Sequence, residues 1–258
     1  MAKDASTRVP TVVAVPEGDG SPVGAPPPAQ LPPAYVVDEV LLEGVACAYA
    51  VPGGERPPVD GTWDVEVAGE AAYRTRLLVV RPGDDAHFNG TVLAQWQNVS
   101  SGAELGGPPA EASTGYAWVG VSAQEIGLYG FPAGMTRRAM PTAVPLIERD
   151  PARYGTLHHP GDQGSFDIFT QAGRALRGEH DGAVDPLGGL DVRRLVALGG
   201  SQSAMRLVAY LDAVHPRVGV YDGFVLSVWE GRAPRPEEGA VAMGVRTASA
   251  TSRHRSWW

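Results

Sequence analysis

The chain has 258 residues, enough for one domain with a sizeable core, and its formal net charge of −8 argues against binding to nucleic acid or to an anionic membrane. Its single cysteine, Cys47, rules out an intramolecular disulfide, and since no basic side chain adjoins it we expect a buried apolar residue in a reducing compartment. No apolar run reaches the roughly 20 residues of a transmembrane helix and no signal peptide is evident, so the sequence indicates a cytoplasmic protein without a membrane partner.

The two ends of the chain differ in composition from its middle. Residues 1–34 are rich in proline, glycine and alanine, which predicts an extended or disordered segment. Residues 35–228 are predicted to form the folded domain. Residues 229–258 contain no apolar run long enough for a strand, so we expect an irregular and disordered tail.

The first half of the domain favours β structure. Tyr35–Tyr49, Trp63–Val67 and Tyr73–Arg81 are predicted strands, the last two from their alternation of apolar and polar residues. Together they are typical of an antiparallel edge that opens a sheet. Two further apolar runs, Gly90–Trp96 and Tyr116–Ser122, predict buried strands.

The second half alternates helices with strands. Residues 124–163 are predicted to form a long irregular loop, of the kind that is functional or disordered. Helical spacing over Phe166–Leu176 predicts a helix, the apolar run Leu195–Leu198 a strand, another helix begins near Ser203, and Tyr221–Val228 is a further buried strand. This order predicts an α/β fold with a mostly parallel sheet and helices on both faces.

A short motif, Gly199–Ser203, joins the predicted strand to the helix that follows it. A strand that enters a helix through Gly-x-Ser-x-small is typical of a nucleophile elbow, with Ser201 at its strained apex. Gly199 and Ser203 are small enough to let strand and helix approach closely, although glycine is usual in the last place. The alternative is an ordinary Gly-Gly-Ser turn in which Ser203 caps the helix.

Several short segments carry a family resemblance through their order and spacing. They are Tyr73–Val79, Phe88–Val92, Trp96–Ser100, Val119–Gln124, Arg153–Leu157, His159–Asp162, Phe166–Gln171, Gly199–Ala204, His215–Pro216 and Asp222–Phe224. In these segments the chain resembles an uncharacterised family of large bacterial and fungal α/β-hydrolase domain-containing proteins. The resemblance implies an α/β-hydrolase fold with Ser201 as nucleophile, and it supplies a reaction class but no substrate.

A serine nucleophile needs hydrogen-bond donors for the oxyanion that forms during attack. In an elbow one donor is the backbone N–H of the next residue, here Gln202, and the second comes from the loop after the third core strand. We expect the backbone N–H of Asn98 or Val99 to supply it. The alternative for this loop is a turn in which Asn98 bonds its own backbone.

The histidine and carboxylate that activate such a serine follow it along the chain in this fold. The histidines after the motif are His215, at a predicted helix end where capping or surface exposure is the favoured role, and His254, in a basic tail that we expect to be disordered. His158 and His159 precede the motif and have the wrong chain order. The carboxylates after the motif are Asp212, Asp222, Glu230, Glu237 and Glu238.

The tail offers an explanation for the missing partners. Codons for Val245–Trp258 can be chosen so that a shifted frame encodes a loop and an apolar strand. We hypothesise that a frameshift or premature end removed the last third of the domain, with its acid and histidine. Such a chain would have low stability, little activity and an unpaired sheet edge at Tyr221–Val228.

The leading prediction is a serine hydrolase that cleaves a small ester-like substrate through an acyl-enzyme. The sequence contains no Cys/His cluster, dinucleotide fingerprint or P-loop, so no metal or cofactor is expected. The alternatives are a non-catalytic binding or structural α/β domain, in which Ser201 caps a helix, and a lyase or acyltransferase built on the same elbow. No oligomeric state is predicted.

Overall fold

The structure, a computed structural model, describes residues 8–18, 20–110, 114–135, 140–239, 242 and 244–247. These residues form a seven-stranded sheet and a separate two-stranded hairpin. The strands are β1 (Thr11–Ala14), β2 (Tyr35–Ala50), β3 (Glu66–Pro82), β4 (Thr91–Trp96), β5 (Ala117–Val121), β6 (Arg194–Gly200), β7 (Gly223–Ser227), β8 (Arg232–Ala233) and β9 (Val245–Arg246).

Among the residues that the structure describes, two long α-helices and four short ones accompany the sheet. They are α1 (Glu125–Tyr129), α2 (Leu146–Arg149), α3 (Pro151–Tyr154), α4 (Ser165–Leu176), α5 (Gln202–Ala213) and α6 (His215–Val218). In the part of the chain that the structure describes, none of them is both long and apolar enough to cross a membrane. The predicted strands at β4, β5 and β6 and the predicted helices at α4 and α5 are confirmed.

The sheet is mixed, in the order β1-β2-β3-β5-β4-β6-β7. Its first three strand pairs are antiparallel, as the predicted opening edge requires, and the remaining three are parallel. Parallel pairing covers less of the sheet than expected because β2 and β3 pair along nearly their whole length. The carboxyl ends of β4, β5 and β6 meet at one edge, where ligands of open α/β sheets usually bind.

One predicted strand at the start of β3 is wrong. Residues 63–65 of the predicted strand Trp63–Val67 precede β3, which runs unbroken from Glu66 to Pro82. Trp63 is nevertheless buried, and its backbone N–H donates to the carbonyl oxygen of Asp212 on α5 at 3.3 Å. The alternation in the sequence therefore reflects a loop packed against a helix.

Helices cover both faces of the sheet, as predicted. On one face the Trp96 ring lies 4.8 Å from the Phe169 ring of α4, inside the largest core cluster, which also includes α5. On the other face Leu41 of β2 packs against α1, α2 and α3. These three helices lie within the predicted irregular loop, and with four or five residues each they are too short to show a helical period.

The N-terminal segment contributes a strand to the sheet, which corrects the predicted domain start at residue 35. Thr11–Ala14 pairs with β2, and Val12 is fully buried in the main core. Four residues between proline-rich stretches carry too little pattern to identify a strand. Cys47, on β2, is buried as predicted.

Part of the predicted disordered tail has a defined position. Strands β8 and β9 pair with each other, Ala233 is buried, and the Thr247 hydroxyl donates to Asp212 at 3.0 Å. This segment is held by backbone pairing and by isolated polar bonds. Neither kind of contact requires a run of apolar residues, so the sequence did not predict it. Residues 248–258, including His254, lie outside the described residues.

Strand β7 is more exposed than the buried strand predicted over Tyr221–Val228. Among the described strands it pairs only with β6, so it forms an edge of the sheet, and its Val225 side chain is 51% exposed. An apolar sequence is therefore compatible with an edge position, which pattern alone does not distinguish from a central one.

Candidate active site

Ser201 lies at a strained turn between β6 and α5. Its backbone has φ 53° and ψ −115°, a positive φ that costs free energy for a residue with a side chain. The side chain is exposed, whereas those of Gln202 and Ser203 are buried. The Ser201 N–H donates to the carbonyl oxygen of Ser227 in β7 at 2.9 Å. This is the sharp strand-to-helix geometry that the motif predicts.

Strand and helix are in close contact on either side of Ser201. A Cβ atom at Gly199 would lie 2.9 Å from the Ser203 carbonyl oxygen and 3.0 Å from the Ala204 Cα, so this position requires glycine. The Ser203 hydroxyl accepts from the Gly200 N–H at 3.0 Å and donates to the Gly200 carbonyl at 3.1 Å. Ser203 is the second residue of α5 and not its N-cap, so the alternative role for it is not observed.

The loop that follows β4 reaches the elbow through Asn98. The Asn98 Nδ2 donates to the Gly200 carbonyl at 2.8 Å, while its Oδ1 accepts from the Ser100 N–H at 2.9 Å. The second bond is the local turn that the sequence left as an alternative, and it coexists with the contact to the elbow. The structure therefore places the Asn98 side chain against Gly200, the residue that precedes Ser201.

The Val99 N–H, one of the predicted oxyanion donors, is already bonded within the protein. It donates to the Gln202 Oε1 at 3.2 Å. The Gln202 Nε2 in turn donates to the Gln124 Oε1 at 2.7 Å, and the Gln124 Nε2 donates to the Gln97 carbonyl at 2.9 Å. The sequence did not single out Gln124, whose only signal was its position at the end of one family segment.

A buried ion network anchors the far end of the same loop. The Arg76 guanidinium pairs with Glu104 and with Glu39, and all three side chains are at most 9% exposed. The Leu105 N–H donates to the Asn98 carbonyl at 2.8 Å. Sequence reasoning missed this network because its members come from β2, β3 and the loop.

His159 lies near the site but has both ring nitrogens engaged. Its Nε2 is 2.9 Å from the Ala123 carbonyl oxygen, and its Nδ1 accepts from the Gly161 N–H at 3.2 Å. Burial lowers the pKa of His159 below its ordinary value. Because its Nδ1 accepts a hydrogen bond, the ring is in its neutral form here, and it positions the loop before α4. His158 is exposed and pairs with Arg74 only through its backbone.

His215 is remote from the elbow. It begins α6, beyond the C-terminal end of α5, and the 12 residues of α5 place it roughly 18 Å along the helix from Ser201. Its ring packs edge-on against Phe224 at 4.8 Å, and burial lowers its pKa. Among the described residues, no histidine side chain is hydrogen-bonded to Ser201.

Four of the five candidate carboxylates take part in structural bonds. Asp212 accepts from Thr247, and Asp222 accepts from the Leu195 N–H at 2.7 Å and pairs with Arg177. Glu237 and Glu238 accept from the backbone N–H groups of Val51 and Arg235, at 3.2 and 2.7 Å. The bonds of Thr247 to Asp212 and of Val51 to Glu237 hold the segment after β7 against the domain. In the described ranges no three His, Cys, Asp or Glu side chains group as metal ligands.

Two comparisons with known proteins found matches to the chain. A family model described as an alpha/beta hydrolase domain matches residues 8–255. Among solved structures, a prolyl endopeptidase is similar at 15% identity and a TM-score of 0.39, over 77% of this chain and 22% of that one. Acetyl xylan esterase 1 from Thermoanaerobacterium sp. JW/SL YS485 is similar at 10% identity and a TM-score of 0.39, over 85% of this chain and 54% of that one.

A third solved structure, esterase Est22, is similar at 13% identity and a TM-score of 0.35, over 78% of this chain and 46% of that one. The chain thus spans about half the length of the two esterases and less of the endopeptidase. With such TM-scores, these likenesses do not define the reaction that the chain performs. A search of curated proteins found no match to the sequence.

Proposed function

The chain belongs to the alpha/beta hydrolase domain family, and from that premise we propose that it is a carboxyl-ester hydrolase whose nucleophile is Ser201. Family membership confirms the resemblance and the α/β-hydrolase fold class that the sequence predicts. The observation that carries the proposal is the positive φ of Ser201 at an exposed strand-to-helix turn. Backbone strain held at such a turn is typical of nucleophile positions.

The proposed reaction proceeds through an acyl-enzyme. The Ser201 oxygen attacks the ester carbonyl carbon and loses its proton to a base, which gives a tetrahedral oxyanion. When the oxyanion collapses, the alcohol leaves with a proton and the acyl group stays on Ser201. Water then attacks the acyl carbon, releases the carboxylic acid and restores the hydroxyl.

Two backbone donors are proposed for the oxyanion. The Gln202 N–H lies at the N-terminus of α5, where the helix dipole favours negative charge. The Val99 N–H is the second, because Asn98 holds its loop against the elbow. In the free protein Val99 donates to Gln202 Oε1, so the substrate oxyanion has to replace that acceptor.

A fluorophosphonate probe tests the nucleophile directly. We expect the chain to form one covalent adduct, located by peptide mapping at Ser201 and absent from Ser201→Ala. Ser227→Ala is the matched control, because this exposed serine lies beside the elbow without occupying its apex. Undiminished labelling of Ser201→Ala would show that another residue is the nucleophile.

One observation favours a second candidate, a non-catalytic α/β binding domain that retains the elbow. Among the described residues, no histidine side chain bonds to Ser201 to serve as its base. The same probe separates the two functions, since a folded chain that forms no adduct is the result expected of the binding domain. His254→Asn tests the remaining histidine after the elbow: loss of labelling in this variant would identify it as the base.

The substrate is proposed to be a small ester in the cytoplasm. The single cysteine is buried and unpaired, as suits a reducing compartment. An acyltransferase would use the same elbow but pass the acyl group to an acceptor other than water. Measuring acid release against acyl transfer to an added alcohol distinguishes the two, and we expect acid release to dominate.

A further inference from the structure

We propose that Gln124 is a positioning residue that allows the Val99 N–H to leave Gln202 and bind the substrate oxyanion. The inference rests on the proposed function of Ser201. It assigns a role to a side chain that touches neither the nucleophile nor, in the proposed reaction, the substrate.

Gln124 and Gln202 form a reciprocal pair of side-chain amides. The Gln202 Nε2 donates to the Gln124 Oε1 at 2.7 Å, and the Gln124 Nε2 donates to the Gln202 Oε1 at 3.3 Å. Both side chains are buried, with 1% and 7% of their surface exposed. The second hydrogen of the Gln124 Nε2 reaches the Gln97 carbonyl at 2.9 Å, so this amide ties the end of β4 to the elbow helix.

Gln202 Oε1 therefore has two donors in the free protein, Val99 N–H and Gln124 Nε2. A negatively charged oxyanion is a stronger acceptor than a neutral amide oxygen, so it draws the Val99 N–H away. A buried oxygen left without a donor would oppose this exchange. Because Gln124 remains bonded to Gln202 Oε1, the exchange leaves no buried acceptor unsatisfied.

Gln124 is itself held in place by the helix that carries Gln202. It precedes α1, and the next backbone N–H, that of Glu125, donates to Asp162 Oδ1 at 3.1 Å. The Arg206 guanidinium of α5 donates to the Asp162 carbonyl at 2.9 Å. The amide pair thus belongs to a closed ring of contacts between α5, the start of α1 and the loop before α4.

The test measures two properties in the full chain and its variants. Amide hydrogen exchange at Val99 reports the position of the donor, and fluorophosphonate kinetics report the reactivity of Ser201. Gln124→Leu removes all amide bonds at similar volume, while Gln124→Glu keeps an acceptor for Gln202 but supplies no donor as a carboxylate. Gln95→Leu is the matched control: Gln95 lies on β4, and its side-chain oxygen accepts from the Trp118 indole N–H at 2.9 Å.

In both Gln124 variants, departure of the Val99 N–H would leave Gln202 Oε1 without its second donor, so we expect Val99 to exchange about 10-fold more slowly. We expect the maximal labelling rate to fall about 10-fold, while the probe concentration for half-maximal rate stays within about 2-fold. Gln95→Leu should match the wild type in both measurements. Thermal unfolding of each variant identifies any that fails to fold, and if Gln124→Leu does, the conclusion rests on Gln124→Glu.

Unchanged or faster Val99 exchange in a folded Gln124 variant would overturn the inference. So would slower exchange with an unchanged maximal labelling rate, because release of the Val99 N–H would then not affect the reaction. If no protein reacts with the probe, including the wild type, the proposed function fails, and the exchange data alone decide whether Gln124 positions Val99.

Discussion

The Asn98 side chain spans the gap between the loop after β4 and the elbow, with its Nδ2 2.8 Å from the Gly200 carbonyl oxygen. The carbonyl that it binds immediately precedes Ser201 in the chain. One bond therefore sets the separation between the strained serine and the loop that supplies the proposed oxyanion donor. The contribution of this bond to stability can be measured by replacing the donor Nδ2 with an oxygen acceptor.

Asn98→Asp should destabilise the protein by about 1–3 kcal/mol, because a carboxylate oxygen would face the Gly200 carbonyl where an N–H now donates. The local bond to the Ser100 N–H survives, since its acceptor is kept. Urea unfolding measures the free energy, and labelling of Ser201 should slow in parallel.

Asn89→Asp is the matched control for this change. Asn89 makes the same two kinds of bond: its Nδ2 donates to the Thr114 carbonyl, and its Oδ1 accepts from the Thr91 N–H. The Nδ2 bond of Asn89, however, lies at the protein surface. We expect Asn89→Asp to lower the free energy of unfolding by about 0.5 kcal/mol or less. If both variants lose the same unfolding free energy, the contact between Asn98 and the elbow stabilises the protein no more than a surface bond does.

Gly199→Ala should destabilise the chain by about 1–3 kcal/mol and abolish labelling, because the new Cβ meets backbone atoms of α5 that cannot move independently. Gly200→Ala is the neighbouring control: its Cβ would meet only the Ser227 hydroxyl at 3.1 Å, which can rotate. Chemical unfolding of both variants gives the comparison. A Gly199→Ala protein as stable as Gly200→Ala would contradict the close strand–helix approach.

Arg76→Met should lower the free energy of unfolding by about 3–5 kcal/mol, because it leaves Glu104 buried without its cation and, among the described residues, leaves Glu39 with only its ion pair to Arg153 at 3.6 Å. Arg74→Met is the control, two residues away on β3, and it removes a more exposed ion pair with Glu43. This change should lower the free energy of unfolding by about 1 kcal/mol or less. Urea midpoints at pH 7 test the difference. If the two variants lose similar stability, the buried network does not anchor the loop as described.

Asp167 should make the stability of the protein depend on pH. Burial raises its pKa, although hydrogen bonds from the Cys47 N–H and Gln171 oppose the shift. The folded state therefore holds a proton that the unfolded chain has lost, and stability falls as pH rises from about 4 through the folded pKa. Asp167→Asn removes this titration.

The measurement is the unfolding free energy of Asp167→Asn minus that of the wild type, across a pH series. The difference should grow from about pH 4 and level off above the folded pKa. The same substitution at the exposed Asp64 controls for the loss of one negative charge. A difference that stays constant over the series would show that the buried carboxyl does not titrate differently in the two states.

Local signals were sufficient to identify the elbow and its flanking elements. The steric demand at Gly199 and the helical period after Ser203 are properties of a few consecutive residues, so they are visible in the sequence. The helices α1–α3 are too short to show a period. The partners of Arg76 and Gln124 come from distant parts of the chain, and only the tertiary structure brings them together.

The contact between Asn98 and Gly200 joins residues 102 positions apart in the chain. Such a contact closes only after β4 and β6 have paired, and pairings this remote in sequence form slowly compared with hairpins and helices. The neighbouring pair β2–β3 can form early, from residues close in sequence. A partly folded chain therefore carries Ser201 on an unsupported turn, and the proposed reactivity of Ser201 with esters depends on the most non-local strand pairing of the sheet, β4 with β6.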